Sequence, residues 1–277
     1  MNLFLESIKL LRPINVLLGG ATVIVCAIMI DGLSEMHLII KGLIIVMAFT
    51  GGANALNDYF DLDIDKINKK NRPLVRGYLT PKFALNLSVV LYGLGIVVAS
   101  LTPKPALIIS VGIALPLILA YNLRLKGTIL FGNLAVSLII AITFLFSGSL
   151  FNALEKMILP AFLAFSFTFV REFIKDMADE KGDREMGLNT LPVKLGLIAS
   201  AKVAIGMISL LLFVIILPYV MGFYNKNYLF ISLIGIGIPL AYIISLLIKM
   251  PSSNNCIKAS RLLKVCTLIG LIAIYIG

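Results

Sequence analysis

An all-helical, multi-pass membrane protein is the fold class this sequence predicts, and three observations carry that expectation. Of the 277 residues, 60% are hydrophobic and only 14% are charged, and the mean hydropathy is +1.03; a soluble domain is nearer half apolar and about a quarter charged. Apolar runs long enough to cross a membrane recur along the whole chain. The basic residues fall mostly in alternate connections between those runs, the pattern that fixes the orientation of membrane proteins.

Residues 1–13 read as a short amphipathic lead-in with Glu6, Lys9 and Arg12, and not as a cleavable signal. A crossing helix needs about 20 mainly apolar residues. Nine runs meet that need, at about 13–30, 37–56, 82–101, 105–121, 128–148, 157–175, 197–220, 228–248 and 260–276. They are expected to form one transmembrane domain over residues 1–277. Pro81, Pro103, Pro105, Pro160 and Pro251 punctuate helix ends, whereas Pro116, Pro218 and Pro239 lie inside or near the ends of runs and predict kinks. The Gly19-Gly20 and Gly51-Gly52 pairs suit close helix packing. Cys26, Cys256 and Cys266 lie in or beside apolar runs, so no disulfide framework is expected. His37, the only histidine, opens a run and reads as an interface residue.

A formal net charge of +10 raises the possibility of a nucleic-acid partner. In a chain this apolar the positive-inside rule is the better account. Of the 24 Lys and Arg, all but Lys41, Lys104, Lys156 and Lys226 lie on one side of a nine-helix topology. That split places the N-terminus and the even-numbered loops in the cytoplasm and the C-terminus outside, and it excludes nucleic acid as the reason for the charge. Of the 14 acidic residues, only Asp31, Glu35 and Glu155 lie on the other side, and all the cytoplasmic ones except Glu6 fall after helix 2 or in and after helix 6. Solvation alone does not require such clustering.

The first acidic place is Asn54-Ala-Leu-Asn57-Asp58-Tyr-Phe-Asp61-Leu-Asp63-Ile-Asp65, at the end of a membrane run. An unpaired buried carboxylate is costly, so such groups are paired, neutralised or bound to metal. On a helix, Asn57, Asp61 and Asp65 share one face with Asp58 beside them, while Asp63 points away and reads as solvated. Carboxylates with an amide oxygen suit a hard divalent cation, and Mg²⁺ usually takes phosphate as a further ligand. The second place holds Asp176, Asp179 and Asp183, spaced like Asp58, Asp61 and Asp65. If helices 2 and 6 pack together, the two acidic faces can oppose each other across divalent cations, which would recruit a diphosphate.

Basic residues frame these motifs. Asn71-Arg72-Pro-Leu-Val-Arg76-Gly77 follows the first directly, Tyr121-Asn-Leu-Arg124-Leu-Lys126 ends helix 4 on the same side, and Arg171 and Lys175 flank the second. Arg12-Pro-Ile-Asn15 opens helix 1. Guanidinium forks bind phosphate oxygens bidentately. Acidic walls with basic edges fit a metal-bound diphosphate better than a bare cation or a bare anion. Lys69, Lys70, Glu180, Lys181 and Glu185 read as solvated loop charges.

The two Asp motifs and the Asn-Arg-Pro-x-x-Arg-Gly segment between them closely resemble the UbiA superfamily of intramembrane prenyltransferases, over nearly the whole chain. That resemblance implies helices arranged around a central cavity open sideways to the bilayer. It implies that Asn57, Asp61 and Asp65 face Asp176, Asp179 and Asp183 through Mg²⁺ and the diphosphate of an isoprenyl donor. Catalytic roles then fall to Asp58 (as a base), Asp61, Asp65, Asp179 and Asp183. Arg72, Arg76 and Lys126 offset the diphosphate charge, with Tyr121 and Asn15 nearby. Arg12-Pro-Ile-Asn and the form of the second motif look like archaeal members that make ether lipids. Those enzymes use geranylgeranyl diphosphate as donor and geranylgeranylglyceryl phosphate, a membrane lipid, as acceptor. The acceptor's own phosphate then needs a second cationic subsite, for which Arg12, Arg124 and Lys175 are candidates. Many aromatic-specific members carry a Lys-Arg pair where this chain has Arg124-Leu125-Lys126, which leaves open which of the two cations meets the diphosphate. An aromatic prenyltransferase of quinone biosynthesis is the nearest alternative, and a cation transporter a more distant one, disfavoured because the Asp clusters lie beside arginines at the membrane edge.

Overall fold

The computed structural model describes residues 3–277, apart from the side chains of residues 67 and 68, and no strand occurs among the described residues. The helices are α1 (Leu3–Leu11), α2 (Pro13–Met29), α3 (Met36–Phe60), α4 (Leu62–Asn68), α5 (Pro81–Ala99), α6 (Lys104–Leu125), α7 (Phe131–Leu150), α8 (Ile158–Glu185), α9 (Leu191–Val220), α10 (Lys226–Lys249) and α11 (Ser253–Ile276). Among the described residues, eight are long and apolar enough to cross a membrane, and α1 with α2, bent by 55° at Arg12, makes a ninth as a pair. The nine runs read from the sequence are all present.

The largest departures from the hydropathy reading are two helix ends that run longer than expected. The second and sixth runs were expected to stop at about 56 and 175, but α3 continues to Phe60 and α8 to Glu185. Hydropathy locates the part of a helix that lies in hydrocarbon, whereas backbone hydrogen bonding continues wherever φ and ψ permit. Both extensions carry Asp motifs. Pro116 and Pro239 each follow a widened, π-helical stretch, Ile108–Ala114 and Leu233–Gly237. A proline has no N–H and crowds the carbonyl four residues earlier, and a wider turn relieves both. Pro218 is accommodated inside α9, whose sharp break lies instead at Gly196, where φ is +77°.

The chain divides into two compact units, one of residues 1–126 and 142–158, the other of residues 127–141 and 159–277. In the first, α3 packs on α2 and α5. The approach is close because glycines face rings: a Cβ on Gly95 would stand 2.3 Å from the Phe49 ring, and one on Gly52 would stand 2.9 Å from Tyr92. A Cβ on Gly19 would similarly meet Val46, so both glycine pairs singled out from the sequence are packing positions. A small core of Leu10, Ala55, Leu74, Leu79 and Ala84 joins the α1 corner to the end of α3 and the loop after α4.

In the second unit, Val170, Phe173, Ile174 and Met177 of α8 are buried against Ala204 and Ile208 of α9, Leu240 and Ile243 of α10, and Ala259 and Leu263 of α11. Those α8 positions follow the helical repeat, which leaves Glu172, Asp176, Asp179 and Asp183 together on the opposite face. All three cysteines are buried and free, and His37 is exposed beside Glu35.

Candidate active site

The first Asp motif spans a helix junction. α3 ends at Phe60, α4 begins at Leu62, and Asp61 between them has φ −87° and ψ 3°. The Asp65 N–H still donates to the Asp61 carbonyl at 2.7 Å, so the turn continues with its axis reset. Asp58, Asp61 and Asp65 are each less than 5% exposed, whereas Asp63 is exposed and pairs with exposed Lys66, as its position on the helix predicts.

Each buried carboxylate has a basic partner within the same unit. Arg12 Nη2 and Arg72 Nη1 both donate to Asp58 Oδ1 at 2.5 Å. Arg72 also donates to Asp65 Oδ2, and the Lys69 ammonium lies 3.9 Å from Asp65 Oδ1. Lys126 donates to Asp61 Oδ2 and, at 3.2 Å, to Asn57 Oδ1, while the Asn57 amide donates to Asp61 Oδ2 at 2.7 Å. Pairing offsets the desolvation cost that isolated buried charges would carry. Burial pushes the Asp65 carboxyl above the ordinary carboxylate range; Arg72 and Lys69 pull it down, and Asp61 and Asp58 add to the rise.

Backbone devices aim these cations. Arg12 sits at the bend between α1 and α2 in the left-handed region, with φ 53° and ψ 70°, and the Asn54 amide donates to the Leu11 carbonyl at 2.9 Å, tying that corner to α3. The last turn of α6, Tyr121–Leu125, is π-helical, and the Lys126 N–H closes it on the Tyr121 carbonyl at 3.1 Å. The wide turn delivers Lys126 to Asn57 and Asp61 and leaves Arg124 exposed. Of the two loop cations left open by the sequence, Lys126 is the one that meets the first motif. Arg76 lies 4.8 Å over the Tyr78 ring. The Asn15 backbone N–H donates to the Arg12 carbonyl at 2.8 Å.

In the second unit, Asp176 accepts from the Asn133 amide at 2.7 Å and Asp183 from the Thr190 hydroxyl at 3.4 Å. Asp179 lies between them on the same face of α8, partly exposed. Glu172, one turn before Asp176, is buried and receives Lys175 at 3.0 Å and Arg171 at 3.7 Å. Sequence reasoning passed over Asn133, Thr190 and Glu172. A lone amide near the start of an apolar run and a carboxylate one turn ahead of a periodic Asp set were the available signals.

Among the described residues, no three His, Cys, Asp or Glu converge as a ready-made metal site. The donor chemistry nevertheless fits a hard cation. Asn57 Oδ1 and Asp61 Oδ2 converge on a single cationic group, the Lys126 ammonium, and an amide and a carboxylate oxygen are ligands of the kind Mg²⁺ takes.

Membrane-crossing helices with carboxylates and phosphate-type cations interleaved at a helix end define a class: a multi-pass membrane protein with a site suited to a metal-bound phosphate. The chain belongs to the UbiA prenyltransferase family, which matches residues 18–265. It is 36% identical over 223 residues to digeranylgeranylglyceryl phosphate synthase of Natronomonas pharaonis, with 80% of each chain covered. It is 35% identical to the enzyme of that name from Methanosarcina mazei, over 98% of this chain and 97% of the relative. A solved structure described as digeranylgeranylglyceryl phosphate synthase in membranes superimposes with a TM-score of 0.79 at 27% identity, covering 100% of this chain and 99% of the other. A UbiA homologue from Archaeoglobus fulgidus, solved with DMAPP and Mg²⁺, shares the fold at a TM-score of 0.65 and 17% identity, over 98% of this chain and 100% of that one.

Proposed function

We propose that this chain transfers a geranylgeranyl group from geranylgeranyl diphosphate to the free hydroxyl of geranylgeranylglyceryl phosphate, making the second ether bond of an archaeal membrane lipid. The observation that carries the chemistry is the buried alternation of Asp58, Asp61 and Asp65 with Arg12, Arg72 and Lys126. The acceptor assignment is supported by near full-length relatives of that activity. On this reading the two units work as one transmembrane domain, with the N-terminus and site loops in the cytoplasm and the C-terminus outside.

Asn57, Asp61 and Asp65, with Asp176, Asp179 and Asp183, would hold Mg²⁺. When bound, the metal supplies charge stabilisation for the diphosphate as it leaves. Arg72, Arg76 and Lys126 neutralise the remaining charge that grows on the leaving oxygen. The allylic C–O bond breaks with its electron pair going to diphosphate, and the apolar span residues keep water from the resulting cation. The acceptor hydroxyl oxygen forms the new C–O bond, and its proton passes to the departing diphosphate or to a site carboxylate. Asp58 Oδ1 already accepts from two guanidinium groups, a geometry that favours holding Arg12 and Arg72 in place over acting as the base.

Reconstitution with Mg²⁺ and labelled geranylgeranyl diphosphate, offering geranylgeranylglyceryl phosphate and an aromatic hydroxy acid in parallel, tests the assignment. The expected product is the doubly alkylated glycerol phosphate, lost on adding EDTA. Prenylation of the aromatic acid alone would move the chain to quinone biosynthesis.

A further inference from the structure

The second Asp motif lies on a part of α8 that its own packing does not hold. The α8 side chains buried against α9, α10 and α11 run from Val170 to Met177, with Ala178 packed at the edge of that core. From Asp179 to Glu185 the sequence is Asp-Glu-Lys-Gly-Asp-Arg-Glu, without one apolar side chain. Those residues make about two helical turns, and they carry Asp179 and Asp183. Gly182 sits among them, and a glycine inside a helix weakens it because more backbone freedom is lost there. A helix end with no apolar face to bury frays unless polar contacts fix it.

Ser253, at the start of α11 in the same unit, meets α8 where that polar stretch begins. Its hydroxyl donates to the Ala178 carbonyl at 2.6 Å, across 75 positions of sequence. In an α-helix the carbonyl of residue 178 also serves the N–H of residue 182. Ser253 therefore takes the second lone pair of the acceptor at the root of the turn that holds Gly182. A serine in a first helical turn ordinarily bonds its own backbone. Here Ser252 meets that need, its side chain accepting from the Asn255 N–H at 3.3 Å, and the Ser253 hydroxyl reaches across to α8. The platform is fixed: the Asn255 amide donates to the Met250 carbonyl at 2.8 Å, and Cys256 is fully buried in the shared core. At the far end of the stretch Arg184 Nη2 donates to the Val193 carbonyl at 3.1 Å, beside the Thr190–Asp183 contact. The polar end of α8 is thus gripped at its root and at its tip, with Asp179 between.

We propose that Ser253 is a positioning residue for the transfer reaction: it fixes the direction in which α8 leaves the core and so holds Asp179 and Asp183 in register for a hard cation. This rests on the metal role given to the second motif above. Mg²⁺ demands near-ideal octahedral geometry, and losing an outer hydrogen bond that orients its ligands weakens metal binding by about 10- to 100-fold. Ser253 acts through the α8 backbone and touches neither the metal nor a substrate in this role.

The test compares Ser253→Ala, Ser253→Thr, Tyr228→Phe and Asp179→Ala with the wild-type chain in nanodiscs. Tyr228 is the control, because its hydroxyl also donates to a backbone carbonyl, that of Ile215 at 2.9 Å, near the opposite end of α10 from Ser253. Three quantities are read: amide hydrogen exchange over residues 179–185 without metal, Mn²⁺ affinity by electron paramagnetic resonance with geranylgeranyl diphosphate present, and the Mg²⁺ dependence of turnover. Ser253→Ala should speed that exchange about fivefold, the effect of one net hydrogen bond, and weaken Mn²⁺ binding about tenfold. Its turnover should recover at saturating Mg²⁺, so that the metal requirement moves and kcat does not. Ser253→Thr keeps the hydroxyl and should return all three to wild-type values, and Tyr228→Phe should leave all three unchanged. Wild-type exchange and Mn²⁺ affinity in Ser253→Ala would overturn the proposal, as would equal changes in Tyr228→Phe or no recovery in Ser253→Thr. Mn²⁺ binding that Asp179→Ala leaves intact removes the metal role of the second motif, and the exchange measurement then still decides whether Ser253 holds the end of α8. Unaltered exchange in Ser253→Ala, with Mn²⁺ binding lost in Asp179→Ala, removes the positioning role alone.

Discussion

Asp58, Asp61 and Asp65 are equally buried yet differ in what they hold. Asp61 shares Lys126 with Asn57, and Asp65 shares Arg72 with Asp58. Asp61→Ala, and Asp179→Ala in the second motif, should lower turnover by about 10²-fold or more, the scale of losing preorganised charge stabilisation, while circular dichroism and gel filtration stay as in the wild type. Asp58→Asn should act first on stability. It leaves two partly buried guanidinium groups without their carboxylate, at a cost of about 3 kcal/mol, visible as a lowered thermal midpoint; Lys66→Gln, in an exposed pair, should change nothing measurable. Asp65 supplies a pH dependence. Its carboxyl titrates above the usual range, chiefly because it is buried, so the proton is retained to higher pH than on an ordinary aspartate. Metal binds the carboxylate form, and apparent Mg²⁺ affinity should therefore fall as pH drops through that raised range and should fall less in Asp65→Asn, as measured by metal titration of the donor complex. The acidic positions themselves were legible from spacing alone. Arg12, Arg72 and Lys126 were named as site cations, but which acid each one meets was not legible, because Arg12 and Lys126 lie 46 and 65 positions from their partners.

At the scale of elements, the spans were readable because hydrocarbon admits little besides apolar helices. Their ends were not, since polarity stops being informative once a helix leaves the bilayer. The motif-bearing extensions of α3 and α8 are the clearest cases. The α3–α5 contact was half legible: Gly51-Gly52 marked one side, but Gly95, the tighter position, is not half of an adjacent pair and shares its run with Gly93, whose Cβ would meet nothing. Gly95→Leu should destabilise by about 1–3 kcal/mol through overpacking against Phe49, read as a lower denaturation temperature in detergent, with activity lost in parallel as α3 shifts beneath Asn57 and Asp61. The π-helical end of α6 was not foreseeable from composition, yet it decides that Lys126 and not Arg124 reaches the motif.

At the scale of the whole molecule, the charge asymmetry predicts an orientation that can be checked residue by residue. The three native cysteines are buried, so a new cysteine at exposed Lys181 or exposed Phe223 would report nearly alone. Lys181→Cys should react with an impermeant maleimide only in inside-out vesicles, and Phe223→Cys only in right-side-out ones. The internal pairing of the first motif also bears on how such a protein is made. Every buried acid there already has a basic partner encoded in the polypeptide, so no ion from the cytoplasm has to be at hand while the helices leave the translocon and associate. Assembly in the bilayer and loading for work become separate events. If the site works with the divalent cation proposed above, a cell short of that ion would accumulate an intact, idle enzyme and not a misfolded one sent for degradation.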